Sequence, residues 1–346
     1  MRWLRNVLGI ENLTRKVDAL SVELGQARAS LERIEALAPG IIDALRPGID
    51  ALAEKVDALS GQAARAQTSL EQIEALEHGG RAAYVGGGRV LTKAAFPDWS
   101  LSYFAEGNDR LISPHLITHG RHEDDLTNFF LRNIAEDSHC FDLGANIGYF
   151  ACLMAKKAWR GRTIAVEADQ KICQFVQDNL HINFLEGVSE SICGAISDRM
   201  GELTLHRRIT RSGNTSIIEV GNTFAEAHGE PPTEAFVVPC FTIDSLLPKV
   251  RGRVDFIKID VEGAEFLAFK GAREAIASNP HIQIVVEWSP AQTRAAGFEI
   301  EPFLRLLREY GLSPSMFNPD GTPYPISYDL LAGAEYISGV LLTRDL

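Results

Sequence analysis

A doubly wound α/β sheet with mostly parallel strands, preceded by an α-helical coiled-coil extension, is the fold the sequence predicts. Three observations carry that expectation. DLGANIGYF, Asp142 to Phe150, reads as the end of a buried strand that turns through glycines into a helix. TIAVEAD, Thr163 to Asp169, reads as the next parallel strand and puts Glu167 at its carboxyl end, 23 residues after Gly144. From 139 to 345, strand-like and helix-like stretches alternate, as a sheet covered on both faces requires.

The chain has 346 residues with 45% hydrophobic content, enough for one large domain and an extension. Its net charge of −12 argues against nucleic acid as a partner, because phosphate backbones are held by clustered Lys and Arg. Five cysteines (Cys140, Cys152, Cys173, Cys193, Cys240) are scattered without a C-x-x-C pair. They read as small buried hydrophobes in a reducing compartment. No apolar run reaches the roughly 18 residues of a transmembrane span, and no signal-peptide core stands at the start, so the expected location is the cytoplasm.

Residues 1–78 form the first predicted unit. From Leu13 the apolar positions step by 4 and 3 through Val17, Leu20, Leu24 and onward to Ile73, a heptad seam with one stutter. KVDALS at 16–21 recurs at 55–60 and LERIEAL at 31–37 returns as LEQIEAL at 70–76, an offset of 39 residues in both cases. Thirty-nine residues make about eleven helical turns, so both copies face the same way. Pro39-Gly40 and Pro47-Gly48 interrupt the pattern and divide it into helices at about 11–37 and 49–77. An a/d stripe needs a partner, which points to a hairpin of the two helices, a homo-oligomer, a partner protein or packing on the chain's own domain. The opening MRWLRNVLGI sets Trp3, Leu4, Val7 and Leu8 beside Arg2 and Arg5, and reads as the start of the following helix or as a short membrane-surface contact.

Residues 79–120 are expected to be a linker with short strands, at Arg89–Lys93 and Leu101–Ala105, after a glycine-rich start. His115 to Ile134 reads as one amphipathic helix leading into the third unit, 121–346. His115, His119 and His122 have helical spacing but lack the E-x-x-H grammar of a metal site, and read as surface residues.

Within the third unit, Gly144 and Gly148 allow a tight strand-to-helix turn at a helix N-terminus, a seat for a nucleotide-like cofactor. The pattern D-x-G-x-N-x-G departs from G-x-G-x-x-G and disfavours a nicotinamide. Glu167 stands where a carboxylate accepts ribose hydroxyls. SICGAISD reads as a third strand whose end, at Asp198, reaches the adenine side. The stretch from Ile209 to Glu234 has no periodicity and reads as a lid. VDFIKIDVEGAEF ends a strand at Asp260 and turns at Gly263 into a helix from Ala264 to Ala277, gathering Lys258, Asp260, Glu262 and Glu265 at the rim where open α/β sheets bind ligands. IQIVVEWSP repeats the design with Glu287.

DLGANIGYF, VEAD, ISDRMGELTLH, GNTSI, FIKIDVEGAEF, KGA and VVEW, in that order and spacing, resemble the FkbM family of S-adenosylmethionine-dependent methyltransferases over about 105–290. The resemblance implies the class I methyltransferase fold and methyl transfer to a hydroxyl of a sugar, glycan, glycosylated lipid or natural product. By position, Asp142, Gly144, Asn146 and Gly148 would line the methionine end of the cofactor and Glu167 its ribose. Ala168 stands where the family often has proline and Leu143 where it often has valine.

The chemistry asks for an acceptor oxygen in line with the S–CH₃ bond and for a base. Asp260, Glu262 and Glu287 are the candidates. Glu262 and Glu265 also fit as carboxylates favoured at a helix N-terminus. A carboxylate cluster is compatible with Mg²⁺, although nothing in the sequence calls for it. Two other readings stand beside O-methylation: methylation of an amine, and a coiled-coil scaffold whose cofactor fold is only structural.

Overall fold

The computed structural model describes residues 82–107, 109, 112–207 and 234–344. The heptad arm at 1–78 and most of the expected lid at 209–234 lie outside the described residues. Elements are numbered from Ala82 onward.

The first piece is a three-stranded antiparallel sheet, β1 (Ala82–Gly86), β2 (Arg89–Ala95) and β3 (Ser100–Glu106), in that order. It occupies much of the span expected to be a linker, and both expected strands are present. In β3 Leu101, Tyr103 and Ala105 are buried, the period of two that lets one face of a sheet pack on a core. These strands belong to the same compact unit as the rest of the described chain.

The main sheet has eight strands in the order β13-β12-β14-β11-β10-β4-β5-β6. β4 (His139–Leu143), β5 (Arg162–Glu167), β6 (Ser189–Cys193), β10 (Phe256–Ile259) and β11 (Gln283–Trp288) run parallel. FIKI and RTIAVE are almost wholly buried, as expected of strands covered on both faces. β14 (Ile337–Arg344) is inserted antiparallel between β11 and β12 (Leu312–Phe317), and β13 (Pro323–Pro325) closes that edge. The sheet is therefore mixed, with the antiparallel strands on one side.

Alternate residues of the parallel strands enter two different cores. Cys140, Ala165, Phe256 and Val285 pack on one face with α2 (Asp124–Asn133), α3 (Tyr149–Lys157) and α4 (Gln170–Ile182). Phe141, Ile164, Ile257 and Ile284 pack on the other, against α5 (Ile243–Leu246), α6 (Glu265–Lys270), α7 (Arg273–Ser278) and α9 (Ile300–Glu309). In α9 the buried Ile300, Phe303, Leu304 and Leu307 form the i, i+3, i+4, i+7 stripe that fixes its docking. The same alternation puts Asp142, Glu167, Lys258 and Glu287 on the α2–α4 face, in step with Cys140, Ala165, Phe256 and Val285.

Three expected elements are divided. The helix expected over His115–Ile134 is two, α1 (Ile112–His119) and α2, because Gly120 and Glu123 take left-handed backbone angles of 72° and 45°. The helix expected from Ala264 to Ala277 is α6 and α7, split at Gly271, where a Cβ would stand 2.4 Å from the Ser197 carbonyl oxygen. The third strand stops at Cys193. β7 (Ala195–Ile196) leaves to join β8 (Gly201–Arg207) and β9 (Glu234–Phe241) in a separate small sheet, order β7-β9-β8.

Cys173 of α4 and Cys193 at the end of β6 form a disulfide, while Cys140, Cys152 and Cys240 are free and buried. This corrects the expectation of five unpaired thiols and removes the basis for a reducing compartment. Twenty residues separate the pair in sequence, and only the return of α4 alongside β6 brings them together.

Candidate active site

A cavity of about 360 Å³ opens at the carboxyl ends of β4, β5, β10 and β11, a size suited to a small-molecule ligand. Its floor is the loop after β4. The Gly144 and Ala145 N–H groups both donate to the Val166 carbonyl, at 2.9 and 3.0 Å, drawing the loop against β5. Gly144 has φ 78°, and a Cβ there would lie 1.7 Å from the Asp260 carbonyl oxygen. No other residue fits where two strand ends approach so closely. Asn146 is also left-handed, with φ 49°, and its side-chain oxygen is buried without a hydrogen-bond partner at the cavity.

Glu167 lines the cavity where β5 ends. One carboxylate oxygen accepts the Asn146 N–H at 2.8 Å and the other the Asp169 N–H at 2.9 Å. Burial pushes its carboxyl up to about 7, and those N–H groups pull the other way. Gly194, Ala195 and Ile196 continue the wall beyond it.

On the opposite side stand the predicted rim carboxylates. Asp260 accepts from the Lys258 ammonium at 2.8 Å. Lys258 is 5% exposed, so burial alone would lower its pKa, but Asp260, Glu123 and Asp142 outweigh burial and hold it above the ordinary lysine range. Glu262 has φ 52°, an uncommon angle for a non-glycine residue, and its carboxylate accepts from the Gln292 amide. The Tyr336 hydroxyl donates to Glu287 at 2.9 Å. Burial, and then the neighbouring Asp260, raise both Glu262 and Glu287 well above the usual carboxylate range. Glu287 Oε2 and Gln292 Oε1 are buried without partners. Among the described residues no group of three or more His, Cys, Asp or Glu is arranged to hold a metal ion.

The structure brings Gly144, Asn146, Glu167, Asp260, Glu262 and Glu287 to one cavity and leaves three other predicted residues outside its lining. Asp142 is buried beneath the floor, opposite Lys258 in the strand register, with its carboxyl raised to about 6 by burial. Gly148 begins α3 and faces Val176. Asp198, expected at the adenine, instead pairs with Lys270 at 2.7 Å, because the strand that was to carry it breaks at Gly194. Glu265 is buried and accepts the Val261 and Gly263 N–H groups at 3.1 Å, holding the turn.

His122, Glu123, Gln292 and Tyr336 also stand in the cavity wall, where the sequence does not place them; His122 is not the surface residue expected. His122 is driven down to about 4 by burial and next by Lys258, so it is neutral, and its ring meets Tyr149 edge-on at 5.8 Å. Gly120, a helix breaker just before them, was the signal for His122 and Glu123. Tyr336 immediately precedes β14, whose antiparallel insertion beside β11 no local pattern announces.

The methyltransferase FkbM domain model matches residues 142–313. The methyltransferase sdnD of Sordaria araneosa is 26% identical over 186 residues, covering 47% of this chain and 71% of that protein. Among solved structures, the chain is similar to the O-methyltransferase from Bacillus cereus in complex with S-adenosylhomocysteine, at 14% identity. That match covers 66% of this chain and 84% of that one, with a TM-score of 0.35. It is also similar to the O-methyltransferase TomG from Streptomyces achromogenes in complex with S-adenosylmethionine, at 12% identity, covering 64% and 80% with a TM-score of 0.37. Residues 142–313, with the glycine turn at one end and the carboxylate rim inside, belong to the FkbM methyltransferase family.

Proposed function

We propose that this chain uses S-adenosyl-L-methionine to methylate a hydroxyl of a sugar, glycan or glycosylated lipid. The observation that carries the reading is the pair Glu262 and Glu287, two raised carboxyls facing the same cavity as the glycine loop. The residues present fit the cofactor: Gly144 lines the cavity without a side chain to fill it, Asn146 offers an unpartnered buried oxygen, and Glu167 would accept the ribose hydroxyls. When bound, the cofactor supplies an electrophilic methyl group on a sulfonium.

The protein's tasks are then to orient an acceptor oxygen and to take its proton. Gln292 and Tyr336 each fix one carboxyl of the pair, leaving Glu287 Oε2 available to the acceptor. Both carboxyls are raised past neutral pH, so each is a stronger base once ionised than one in its ordinary range, and a well-placed base contributes about 10²- to 10⁴-fold. Asp260 is held in place by its ion pair with Lys258. The Tyr336 ring, half exposed at the rim, offers a face on which a sugar can stack. The N-terminal heptad arm, in this reading, sets subunit number or docks the enzyme to a partner.

Amine methylation is a second reading, favoured by a lining with Glu123, Glu167, Asp260, Glu262 and Glu287 against Lys258. The test is transfer of label from methyl-tritiated S-adenosylmethionine to neutral methyl hexosides, amino-sugar glycosides and uronic acids. O-methylation predicts labelled neutral glycosides, with transfer lowered about 10²- to 10⁴-fold in Glu262→Gln or Glu287→Gln while cofactor affinity is kept. Label on the amino sugars alone, with little loss in those variants, supports the amine reading. A folded protein that binds no cofactor would return attention to a scaffold.

A further inference from the structure

The turn between α1 and α2 is built to hold one carboxylate at the cavity. The Glu123 carbonyl accepts the Thr127 N–H at 2.8 Å, and the His122 carbonyl accepts the Thr127 hydroxyl at 2.6 Å. These bonds hold Glu123 in its left-handed conformation at the N-terminus of α2. Glutamate at that position makes no capping hydrogen bond to its own helix. Its side chain instead lines the cavity with Gly144 and Asn146. Oε1 lies 3.4 Å from Nε2 of the neutral His122, and Oε2 is buried without a partner. A carboxylate oxygen kept from water in this way is costly unless a donor arrives with the ligand.

The position in the cavity says which donor that is. Glu167 and Gly194–Ile196 mark the nucleoside side, at β5 and β7. Glu123 stands at the other side, where Lys258, Asp260, Asp125 and Asp142 are its charged neighbours. A cofactor lying across the β4 loop presents its amino-acid tail there, and that tail carries one cationic donor. We propose that Glu123 receives the α-ammonium of the cofactor's methionine moiety. The assignment rests on the cofactor reading above and concerns a residue 19 positions before the family match begins.

The test is calorimetric titration of the full chain with two ligands, S-adenosylhomocysteine and its analogue with a hydroxyl in place of the α-amine. The wild-type protein is expected to prefer the amine by about 10- to 100-fold, the range of a charge-assisted hydrogen bond. Glu123→Gln should bind the analogue as the wild type does and lose most of the preference, which also shows that the variant is folded. A wild-type protein that binds both ligands equally overturns the assignment without any variant. So does a Gln variant that keeps the preference. If the wild type binds neither, the cofactor reading itself falls.

Discussion

The Lys258 ammonium donates to Asp260 Oδ2 across 2.8 Å from two residues earlier in the chain, and its aliphatic stem leaves it 5.1 Å from the Phe150 ring centre. Asp142 is its neighbour in the strand register and Glu123 a further negative group nearby. One buried cation thus answers three carboxylates from three elements. Lys258→Met should leave them uncompensated and cost about 3–5 kcal/mol, the range for breaking a buried pair. Chemical denaturation measures it, and a loss below about 1 kcal/mol would contradict the account.

The buried carboxyls set a slope of stability against pH. Glu123, Glu167 and Glu265 are raised to about 7 and Asp142 to about 6, in each case chiefly by burial. Folding therefore keeps protons that the unfolded chain has released, and stability must fall as pH rises through those values. His122, lowered to about 4, acts the other way, but only below its unfolded value near 6.5. Glu262 and Glu287, raised further, add to the fall, so the ligand-free protein should lose at least about 1–2 kcal/mol per pH unit between about 6.5 and 8. Melting curves across that interval would refute this by staying level or rising.

The two glycines of the turn should separate sharply. At Gly144 a methyl group meets the Asp260 carbonyl oxygen at 1.7 Å, whereas at Gly148 the nearest atom is a Val176 methyl at 3.2 Å. Both are left-handed, which costs a non-glycine residue roughly 1–2 kcal/mol. Gly148→Ala should lose about that much and still bind cofactor. Gly144→Ala should lose more and bind none, since strand β10 must move. Equal stability of the two variants in urea would contradict the packing.

Thiol counting tests the link between α4 and β6. Denatured without reductant, the protein should react at three cysteines, Cys140, Cys152 and Cys240, and at all five after reduction. Reduction should cost up to about 3 kcal/mol for a loop of this length on the chain-entropy model. Five reactive thiols in the unreduced protein would show the bond absent.

The parallel half of the sheet was legible because its strands are short buried runs ending in Gly or an acidic residue. Asp142, Glu167, Asp260 and Glu287 all mark strand ends, and three of these line the cavity. What the sequence withheld depends on distant packing. Asp198 left the site because the ladder breaks at Gly194, and the run from His115 to Ile134 kinks at Gly120 and Glu123. Periodicity sees neither event, since both polar and apolar residues keep their spacing through the break. Tyr336 reaches Glu287 across 49 positions of sequence, with α8 (Pro290–Ala295), α9, β12, β13 and α10 (Tyr328–Gly333) between them.

β14 sits inside the sheet, with β11 on one side and β12 on the other, although it is made after both. On the ribosome, Ile284, Val285 and Val286 must therefore wait with an open hydrogen-bonding edge until residues 337–344 have been translated and have left the exit tunnel. A nascent chain paused in that interval presents an apolar strand edge to its neighbours on the same messenger. Slow codons after residue 288 should lower the yield of native protein more than slow codons before residue 139, which makes translation tempo a property that this strand order exposes to selection.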